Sequence, residues 1–420
     1  MSAFFRDAQH HLTIDGVPLD RLMTEFGSPL YVYSGAGLQR AFTAFQTAVA
    51  PVSGKLHFAL KANSALGVIA LLARCGAGAD IVSAGELARA LAAGIAAGDI
   101  VFSGVGKSAA DIRAALTAGI GQINAESAAE VAQISAVAAA MGVVAPVALR
   151  VNVDVDAGTH AKISTGQRDT KFGISTDQRE AATLYAELAA DPHIKPMGLA
   201  VHIGSQICDL APFERAYTAL LDVANGLRAE GLEVPCLDLG GGVGVDYQQA
   251  GDTDFSAYGA LVTRLFKDSG FHLGFEPGRA ITANNGALLT EVIYVKAGDN
   301  KRFVIVDAAM NDLLRPTLYE AHHPIVTLAP PQPAIGKADI VGPVCETGDY
   351  LGLDRDMPEL RAGDRLAVLS AGAYGAVMAS AYNTRPPAAE LLVLDGTAHL
   401  LRPARSIDSL LAEETIPDFD

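Results

Sequence analysis

Between Leu56 and Arg279, short apolar segments rich in Val and Ile alternate with longer segments rich in Ala and Leu. The short segments have the length of buried strands, and the longer ones can form helices. The eight predicted strands lie in the segments LHFALKAN, ADIVSAGE, DIVFSG, IGQINAES, PVALRVN, MGLAVHIGS, CLDLGGG and HLGFEPGR. Strands that alternate with helices in this number predict an α/β fold, with a parallel sheet closed into a (β/α)8 TIM barrel.

The strand segments also divide their residues between two faces, because alternate residues of a strand point to opposite sides. One face is apolar, as expected beneath helices. The other face ends in a polar or functional residue in five segments, which pair Ala59 with Lys61, Ala148 with Arg150, Ala200 with His202, Asp238 with Gly240, and Gly274 with Glu276. The C-terminal ends of barrel strands carry the active site, so these residues are candidates for one.

Helix starts are predicted from two short motifs. Ser83 with Glu86, and Ser127 with Glu130, have the spacing of capping boxes. Both motifs follow predicted strands, as the barrel requires.

After Arg279 the pattern changes to strands with turn signals and few helices. We expect a second, β-rich domain of sandwich or barrel type over residues 281–420. The N-terminal residues 1–32 are expected to add strands to it, so the barrel domain covers residues 33–280. The polar segment 158–171 is expected to form a mobile loop.

Composition narrows the functional classes. With 420 residues, two domains are expected, and the net charge of −16 argues against nucleic-acid binding. No apolar run is long enough to span a membrane, and the first residues lack the layout of a signal peptide, so a soluble cytoplasmic protein is expected. The four cysteines are scattered, which favours neither a metal site nor a disulfide framework.

Lys61 is the first candidate for chemistry. It ends the segment FALKAN and is predicted to point into the barrel, where burial of an ammonium group is costly. Desolvation lowers the pKa of a lysine and makes its amine a nucleophile towards an aldehyde. The alternative is a lysine that extends to solvent at a strand end, and the segment alone does not separate the two interpretations.

Gly240, Gly241 and Gly242 follow the seventh predicted strand. Consecutive glycines let backbone N–H groups approach an anion, and the loops after the last two strands often bind phosphate in barrels. A plain tight turn is the alternative.

Glu276 ends the eighth strand, where a buried carboxylate requires a partner. A protonated pyridine nitrogen would serve, but so would an ordinary ion pair with Arg150 or Arg279. His202 can stack on a flat ring, although a lone inward histidine is more often a core residue.

Residues with candidate roles also occur in the predicted β domain. Cys345 beside Glu346 can donate a proton at the edge of a site, although a small buried cysteine is the commoner case. Arg315, Tyr319 and Tyr374 can bind a carboxylate or a phosphate. None of these residues is decisive alone.

Taken together, the motifs resemble those of the diaminopimelate decarboxylases, which belong with ornithine and arginine decarboxylases to the alanine-racemase-like, fold-type III pyridoxal-phosphate enzymes. The resemblance covers nearly the whole chain. It rests on the ordered segments FALKAN, DIVSAGEL, KFGI, HIGSQ, LDLGGGVGVDY, FEPGR, DAAMNDLLRPTLY, GPVCETGD and GAYGAVMASAYN. Thr347 stands where the family often has Ser, and the segment LAPPQPA makes the spacer before GPVCE Pro-rich.

The resemblance implies that the cofactor is pyridoxal 5′-phosphate and that Lys61 binds it as a Schiff base. It implies further cofactor contacts from Arg150, His202, Ser205, Gly240, Gly241, Gly242, Glu276, Gly278, Arg279 and Tyr374. Among these, His202 is expected to stack on the ring and Glu276 to bind its nitrogen. Cys345 is implied as a catalytic proton donor. The substrate is implied to bind to Arg279, Arg315, Tyr319, Glu346 and Tyr374.

The implied reaction is decarboxylation of meso-2,6-diaminopimelate to L-lysine and CO2, the last step of lysine biosynthesis. The resemblance also implies a homodimer with shared active sites, in which Cys345 and Glu346 come from the second subunit. Arginines suit the second carboxylate of diaminopimelate, which ornithine lacks. The alternatives are decarboxylation of ornithine, arginine or carboxynorspermidine, a racemase, and a non-catalytic homologue that binds pyridoxal phosphate.

Overall fold

The protein is described from a computed structural model, which covers residues 3–166, 170–176, 180–248, 251, 253–298 and 301–419. The chain divides into two compact units. One unit, called here the barrel unit, comprises Ala41–Gly244 and Thr253–Ala280. The other, the β unit, comprises Met1–Arg40, Val245–Asp252 and Ile281–Asp420.

The strands of the described residues are β1 Phe4–Arg6, β2 Leu12–Ile14, β3 Val17–Pro18, β4 Leu30–Ser34, β5 Gly54–Ala59, β6 Gly78–Ile81, β7 Ile100–Phe102, β8 Gln122–Ala125, β9 Ala145–Asn152, β10 Ile174–Ser175, β11 Ile194–Ala200, β12 Cys236–Asp238, β13 His272–Phe275, β14 Gly286–Ala297, β15 Arg302–Val306, β16 Ile325–Thr327, β17 Gly336–Val341, β18 Tyr350–Met357, β19 Arg365–Val368, β20 Ala389–Leu394 and β21 Thr397–Arg402.

The α-helices of the described residues are α1 Leu19–Phe26, α2 Gly35–Val49, α3 Leu66–Arg74, α4 Ala84–Ala92, α5 Ala109–Ala118, α6 Ala128–Met141, α7 Glu180–Ala190, α8 Ala211–Ala229, α9 Ser256–Phe266, α10 Arg279–Thr282, α11 Arg315–Tyr319 and α12 Ile407–Leu411.

The barrel unit contains a closed parallel barrel. Around it the strands run β5, β6, β7, β8, β9, β11, β12 and β13, and β13 pairs again with β5. All eight correspond to the predicted segments, so the predicted fold class is confirmed. The short strand β10 pairs with β9 outside this ring.

Aromatic side chains fill the layer between barrel and helices. Phe45 of α2 packs against Phe255 and Tyr258 at ring-centroid distances of 5.0 and 5.5 Å, and against Phe275 of β13 at 6.1 Å. The barrel interior is polar instead, because Asp80, Asn124 and Asp238 are buried there. The predicted division of the strands into an apolar and a polar face therefore matches the packing.

Each of the two predicted capping motifs forms the serine contact of a capping box but not the reciprocal glutamate contact. The Ser83 and Ser127 hydroxyls accept hydrogen bonds from the backbone N–H groups of Glu86 and Glu130. The glutamate side chains, however, accept from the residue before each cap, Val82 and Glu126 respectively. A complete capping box opens α5 instead, between Ser108 and Asp111.

The β unit has one small and one large sheet among its described residues. Strands β1, β2 and β3 form the small sheet, and the large one runs β18, β17, β15, β14, β4, β20 and β21, with β19 pairing with β14 and β16. The N-terminal residues contribute strands to both sheets, since β4 lies between β14 and β20.

The observed units differ from the predicted boundaries in two places. Residues 33–40 and 245–252 group with the β unit, whereas the sequence assigned them to the barrel. Strand β4 extends to Ser34 and carries the chain past residue 33 before α2 begins.

Part of the predicted loop 158–171 lies outside the described residues, namely 167–169. Its described part includes a short 3-10 helix, Ala161–Ile163. Within the described ranges, no helix combines the length and the apolar character that crossing a membrane would require.

A buried lysine should be a strong determinant of barrel stability. The Lys107 side chain is 1% exposed, and its Nζ lies 2.7 Å from Glu130 Oε1, 2.6 Å from Gly104 O and 2.7 Å from Asn124 O. We expect Lys107→Ala to lower the free energy of unfolding by about 3–5 kcal/mol, since it leaves Glu130 buried without its cation. Urea denaturation measures this change.

The matched control is Lys337→Ala, which removes an exposed ion pair with Asp356. We expect Lys337→Ala to lower the free energy of unfolding by at most about 1 kcal/mol. Equal costs for the two variants would contradict the interpretation of Lys107 as a buried structural cation.

Candidate active site

Lys61 lies in a 3-10 turn, Leu60–Ala62, directly after β5. Its Nζ is 2.7 Å from Asp80 Oδ2, and the two side chains are 31% and 0% exposed. Lys61 therefore points to a buried carboxylate rather than extending to solvent. In the described part of the chain, the other oxygen, Asp80 Oδ1, is buried without a hydrogen-bond partner.

The three glycines after β12 pass so close to neighbouring backbone that a side chain at these positions would collide with it. A Cβ on Gly240 would lie 2.3 Å from Val201 O, and one on Gly241 would lie 2.2 Å from Glu276 O. Gly240 and Gly242 also have positive φ values of 66° and 105°. The segment is therefore a close-packed backbone turn at the mouth of the barrel, as a cradle for an anion requires.

Gly278 and Arg279 continue the same region. A Cβ on Gly278 would lie 2.9 Å from Ala62 Cβ, so this backbone passes next to the Lys61 turn. Arg279 donates from Nε and Nη2 to Ser205 Oγ at 3.3 and 3.0 Å. A guanidinium and a hydroxyl thus lie together near the glycine turn, and both are groups that bind phosphate.

Glu276 follows β13, and its side chain meets a polar network. Ser103 Oγ donates to Glu276 Oε1 at 3.3 Å. Burial raises the pKa of Glu276 well above its ordinary value, and the negative charges of Asp238 and Asp80 raise it further. Burial and the neighbouring carboxyls thus favour the protonated form of Glu276.

Arg150 forms its ion pair with Glu126, not with Glu276. Arg150 Nη1 lies 3.0 Å from Glu126 Oε1, and both side chains are buried. Arg150 Nη2 also donates to His202 O at 3.2 Å. Of the two ion pairs considered for Glu276 from the sequence, the one with Arg150 is therefore replaced by Arg150–Glu126. Glu126 directly follows β8, which pairs with β9, the strand that carries Arg150.

His202 is held as a neutral ring. Its Nδ1 accepts a hydrogen bond from Gly241 N at 3.2 Å. Burial lowers the pKa of His202 well below its ordinary value, and the charges of Arg150 and Lys61 act in the same direction. A neutral imidazole fixed by Gly241 has the character needed for stacking on a flat ring.

In the β unit, Arg315 and Tyr319 begin and end helix α11, so they share one helix face. Arg315 is buried, and its Nε donates to His323 Nε2 at 3.2 Å. His323 Nδ1 lies 3.0 Å from Leu369 O, which can only accept, so His323 donates there and is neutral. The Tyr247 ring lies 4.9 Å from the Arg315 guanidinium carbon.

Cys345 and Glu346 lie in the turn between β17 and β18, and both are exposed in the chain described here. Asp349 holds this turn in place, because its carboxylate accepts hydrogen bonds from Met310 N and Val344 N at 2.7 Å each. Cys345 is thus not the small buried cysteine that was the commoner expectation.

Tyr374 has a φ of 54°, a left-handed conformation that is rare for a residue with a side chain. Such strain persists only where the surroundings impose it, and it is concentrated at functional sites. Tyr374 belongs to the β unit with Arg315, Tyr319, Cys345 and Glu346.

The remaining candidates meet at the C-terminal ends of the barrel strands. They are Lys61, Arg150, His202, Ser205, Gly240, Gly241, Gly242, Glu276, Gly278 and Arg279. An amine, a glycine turn and a carboxyl thus converge there, linked by the approach of Gly241 to Glu276 and of Gly278 to Ala62. These residue types fit pyridoxal phosphate, which offers an aldehyde, a phosphate and a ring nitrogen.

Several residues with a clear place in this site received no role from the sequence. Asp80 binds Lys61, Glu126 binds Arg150, and His323 orients Arg315. A signal for Asp80 existed, because a carboxylate in the predicted strand ADIVSAGE would face the same interior as Lys61.

Residues 36–283 match the family described as pyridoxal-dependent decarboxylase, pyridoxal binding domain. Fold and site therefore define a pyridoxal-dependent decarboxylase. The chain is 46% identical over 408 residues to the diaminopimelate decarboxylase of Zymomonas mobilis, covering 96% of each chain. It is 47% identical to that of Vibrio cholerae, covering 99% of each.

A crystal structure of diaminopimelate decarboxylase from Helicobacter pylori complexed with L-lysine is similar to this chain, with a TM-score of 0.90 and 39% identity. The match covers 94% of this chain and 98% of that one. The chain belongs to the diaminopimelate decarboxylase family, which confirms the predicted family.

Proposed function

We propose that the chain decarboxylates meso-2,6-diaminopimelate to L-lysine and CO2 with pyridoxal 5′-phosphate. The observation that carries this proposal is the joint placement of Lys61, the glycine turn and Glu276 in one barrel of a chain from this family. The cytoplasm and a homodimer are part of the same proposal.

Lys61 is the residue that holds the cofactor, and Asp80 accepts the proton that the Lys61 ammonium group must lose. An ammonium group must lose a proton before its nitrogen can bond to carbon. Asp80 Oδ2 lies 2.7 Å from Lys61 Nζ and can accept that proton. We assign the phosphate to the glycine turn, Gly278, Arg279 and Ser205.

The ring of the cofactor, when bound, supplies the electron sink that makes loss of CO2 possible. His202 presents a neutral face for stacking, and Arg150 stays fixed by Glu126. Glu276 binds the ring nitrogen. These contacts orient the cofactor without adding a further charge to the barrel mouth.

The substrate's far end is assigned to polar and charged groups of the β unit, together with Arg279. Arg315 and Tyr319 bind the far carboxylate, and Glu346 binds the far ammonium. Cys345 donates the proton that replaces the carboxylate lost as CO2. Cys345 and Glu346 act in the site of the second subunit, and Tyr374 supports the phosphate.

Substrate choice can be tested on Arg315. We expect Arg315→Lys to lower kcat/KM for diaminopimelate about 10- to 100-fold, because a lysine cannot form the forked hydrogen bonds of a guanidinium with a carboxylate. The change should appear mainly in KM. CO2 release from diaminopimelate and from ornithine measures it, and any residual ornithine turnover should be unaffected.

The matched control is Arg361→Lys, an exchange at a highly exposed guanidinium, which should leave both rates unchanged. Wild-type turnover of ornithine without diaminopimelate would reject the proposed substrate. Racemisation of an amino acid without CO2 release would reject decarboxylation itself.

A further inference from the structure

A chain of directional hydrogen bonds crosses the barrel and ends on Glu276. Gln122 Nε2 donates to Asn124 Oδ1 at 2.8 Å, which fixes the orientation of the Asn124 amide. Asn124 Nδ2 then donates to Ser103 Oγ at 3.1 Å. The single Ser103 proton is therefore directed to Glu276 Oε1, at 3.3 Å.

Asp238 receives the other donors of this network. Its Oδ1 accepts from Gly240 N at 3.0 Å, and its Oδ2 lies 3.3 Å from Asn124 Nδ2 and 3.4 Å from Gln122 Nε2. All three are N–H donors, so each of these contacts requires an acceptor. The Asp238 carboxyl therefore acts as an acceptor towards all three donors.

The charges in the barrel do not balance if every acid is ionised. Asp80, Asp238 and Glu276 are 0%, 3% and 6% exposed. Lys61 is the cation that acts on Glu276, and it is paired with Asp80. His57 faces Asp80 and Asp238, but burial lowers its pKa and favours its neutral form. With all three acids ionised, Asp238 and Glu276 would both be uncompensated, so protonation of one of these two carboxyls removes the repulsion between them.

Donor geometry places that proton on Glu276, which also hydrogen-bonds to Asp238. The contact is possible because residue 274 lacks a side chain: a Cβ on Gly274 would lie 3.1 Å from Asp238 Cγ. We propose that Asp238 and Glu276 share one proton in the cofactor-free barrel, carried by Glu276, and that Asp238 thereby sets the charge of the group facing the cofactor nitrogen.

This inference rests on the proposed function in assigning the ring nitrogen to Glu276. With pyridoxal phosphate bound, Glu276 would hold the ring nitrogen, pass its proton to it and become a carboxylate. The nitrogen would gain one positive charge and Glu276 one negative charge, so the transfer would need no proton from solvent. Asp238 is a positioning residue: its charge, directly behind Glu276, keeps the proton available to the ring.

Infrared spectroscopy of the full chain, with and without pyridoxal phosphate, tests this proton. At neutral pH, the cofactor-free wild type should show the carbonyl band of a protonated carboxyl, and the band should disappear on loading. Glu276→Gln should lack this change. The control Glu126→Gln should retain it, because the Glu126 carboxyl is buried too but pairs with Arg150.

Asp238→Asn tests the role of its charge. Without that charge, Glu276 should release its proton at a pH lower by about one unit or more, seen as a shift in the titration of the carbonyl band. Should Asp238→Asn fail to fold, Gly274→Ala serves instead, because its methyl group displaces the Asp238 carboxyl and should shift the titration in the same direction.

A cofactor-free wild type without the band, or a band that Glu276→Gln retains, would overturn the proposal. So would an unchanged titration in the folded Asp238→Asn variant. These results do not depend on the substrate. If diaminopimelate is not turned over but the band behaves as described, the proposed function fails while the shared proton stands.

Discussion

Lys61→Ala should abolish the visible absorbance band of the covalently bound cofactor and reduce decarboxylation about 10³-fold or more, as removal of a covalent catalytic group does. The reason is local. Alanine provides no amine for the aldehyde, and no other lysine occupies the turn after β5. Absorbance of the reconstituted protein and CO2 release from diaminopimelate measure the two effects.

Lys55→Ala is the control for this variant. Lys55 lies on β5 and forms an ion pair with Asp99, but both side chains are partly exposed. We expect normal absorbance and normal turnover. Loss of the band in Lys55→Ala with its retention in Lys61→Ala would remove Lys61 from the assigned role.

Thermal unfolding separates chemistry from folding in this comparison. Lys61→Ala leaves Asp80 buried without its cation, so some loss of stability is expected. Lys61→Met, which fills more of the vacated space, should lose the band equally. If activity followed stability across these variants rather than the presence of the amine, the catalytic interpretation would be wrong.

The barrel could be predicted from sequence because each strand carries its own signal. Apolar length and alternation mark where a strand runs and which of its faces meets the helices. For that reason Lys61, His202 and Glu276 could be assigned to one end of the barrel. The same signal underlies the expectation of strands near the N-terminus, although β4 extends two residues past the predicted boundary at residue 32.

The partners of these residues could not be predicted, because they come from strands distant in sequence. Asp238 on β12 meets Asn124 on β8 across the barrel, and Glu126 rather than Glu276 binds Arg150. Alternation shows that a side chain points inward but not which side chain it meets. The two capping motifs do open helices α4 and α6, with Ser83 and Ser127 as N-caps. Their glutamates accept from the N–H one residue before the cap, a contact that the spacing did not predict.

The proposed active site combines Lys61 of the barrel unit with Cys345 of the β unit of a second subunit. Dimers that pair two different inactive variants can test this exchange. We expect Lys61→Ala and Cys345→Ala homodimers each to be nearly inactive. If Cys345 acts in the partner's site, a mixed dimer contains one doubly altered site and one intact site. With random pairing, half of the dimers are mixed, so about a quarter of the wild-type activity should return.

The matched control combines Lys61→Ala with Glu276→Gln. Both residues belong to the barrel unit, so every site in a mixed dimer keeps one of the two changes and activity should not return. Co-expression with two affinity tags isolates the mixed dimers. If isolated mixed dimers of Lys61→Ala with Cys345→Ala stay inactive, the site uses Lys61 and Cys345 of one subunit, and the proposed exchange between subunits is wrong.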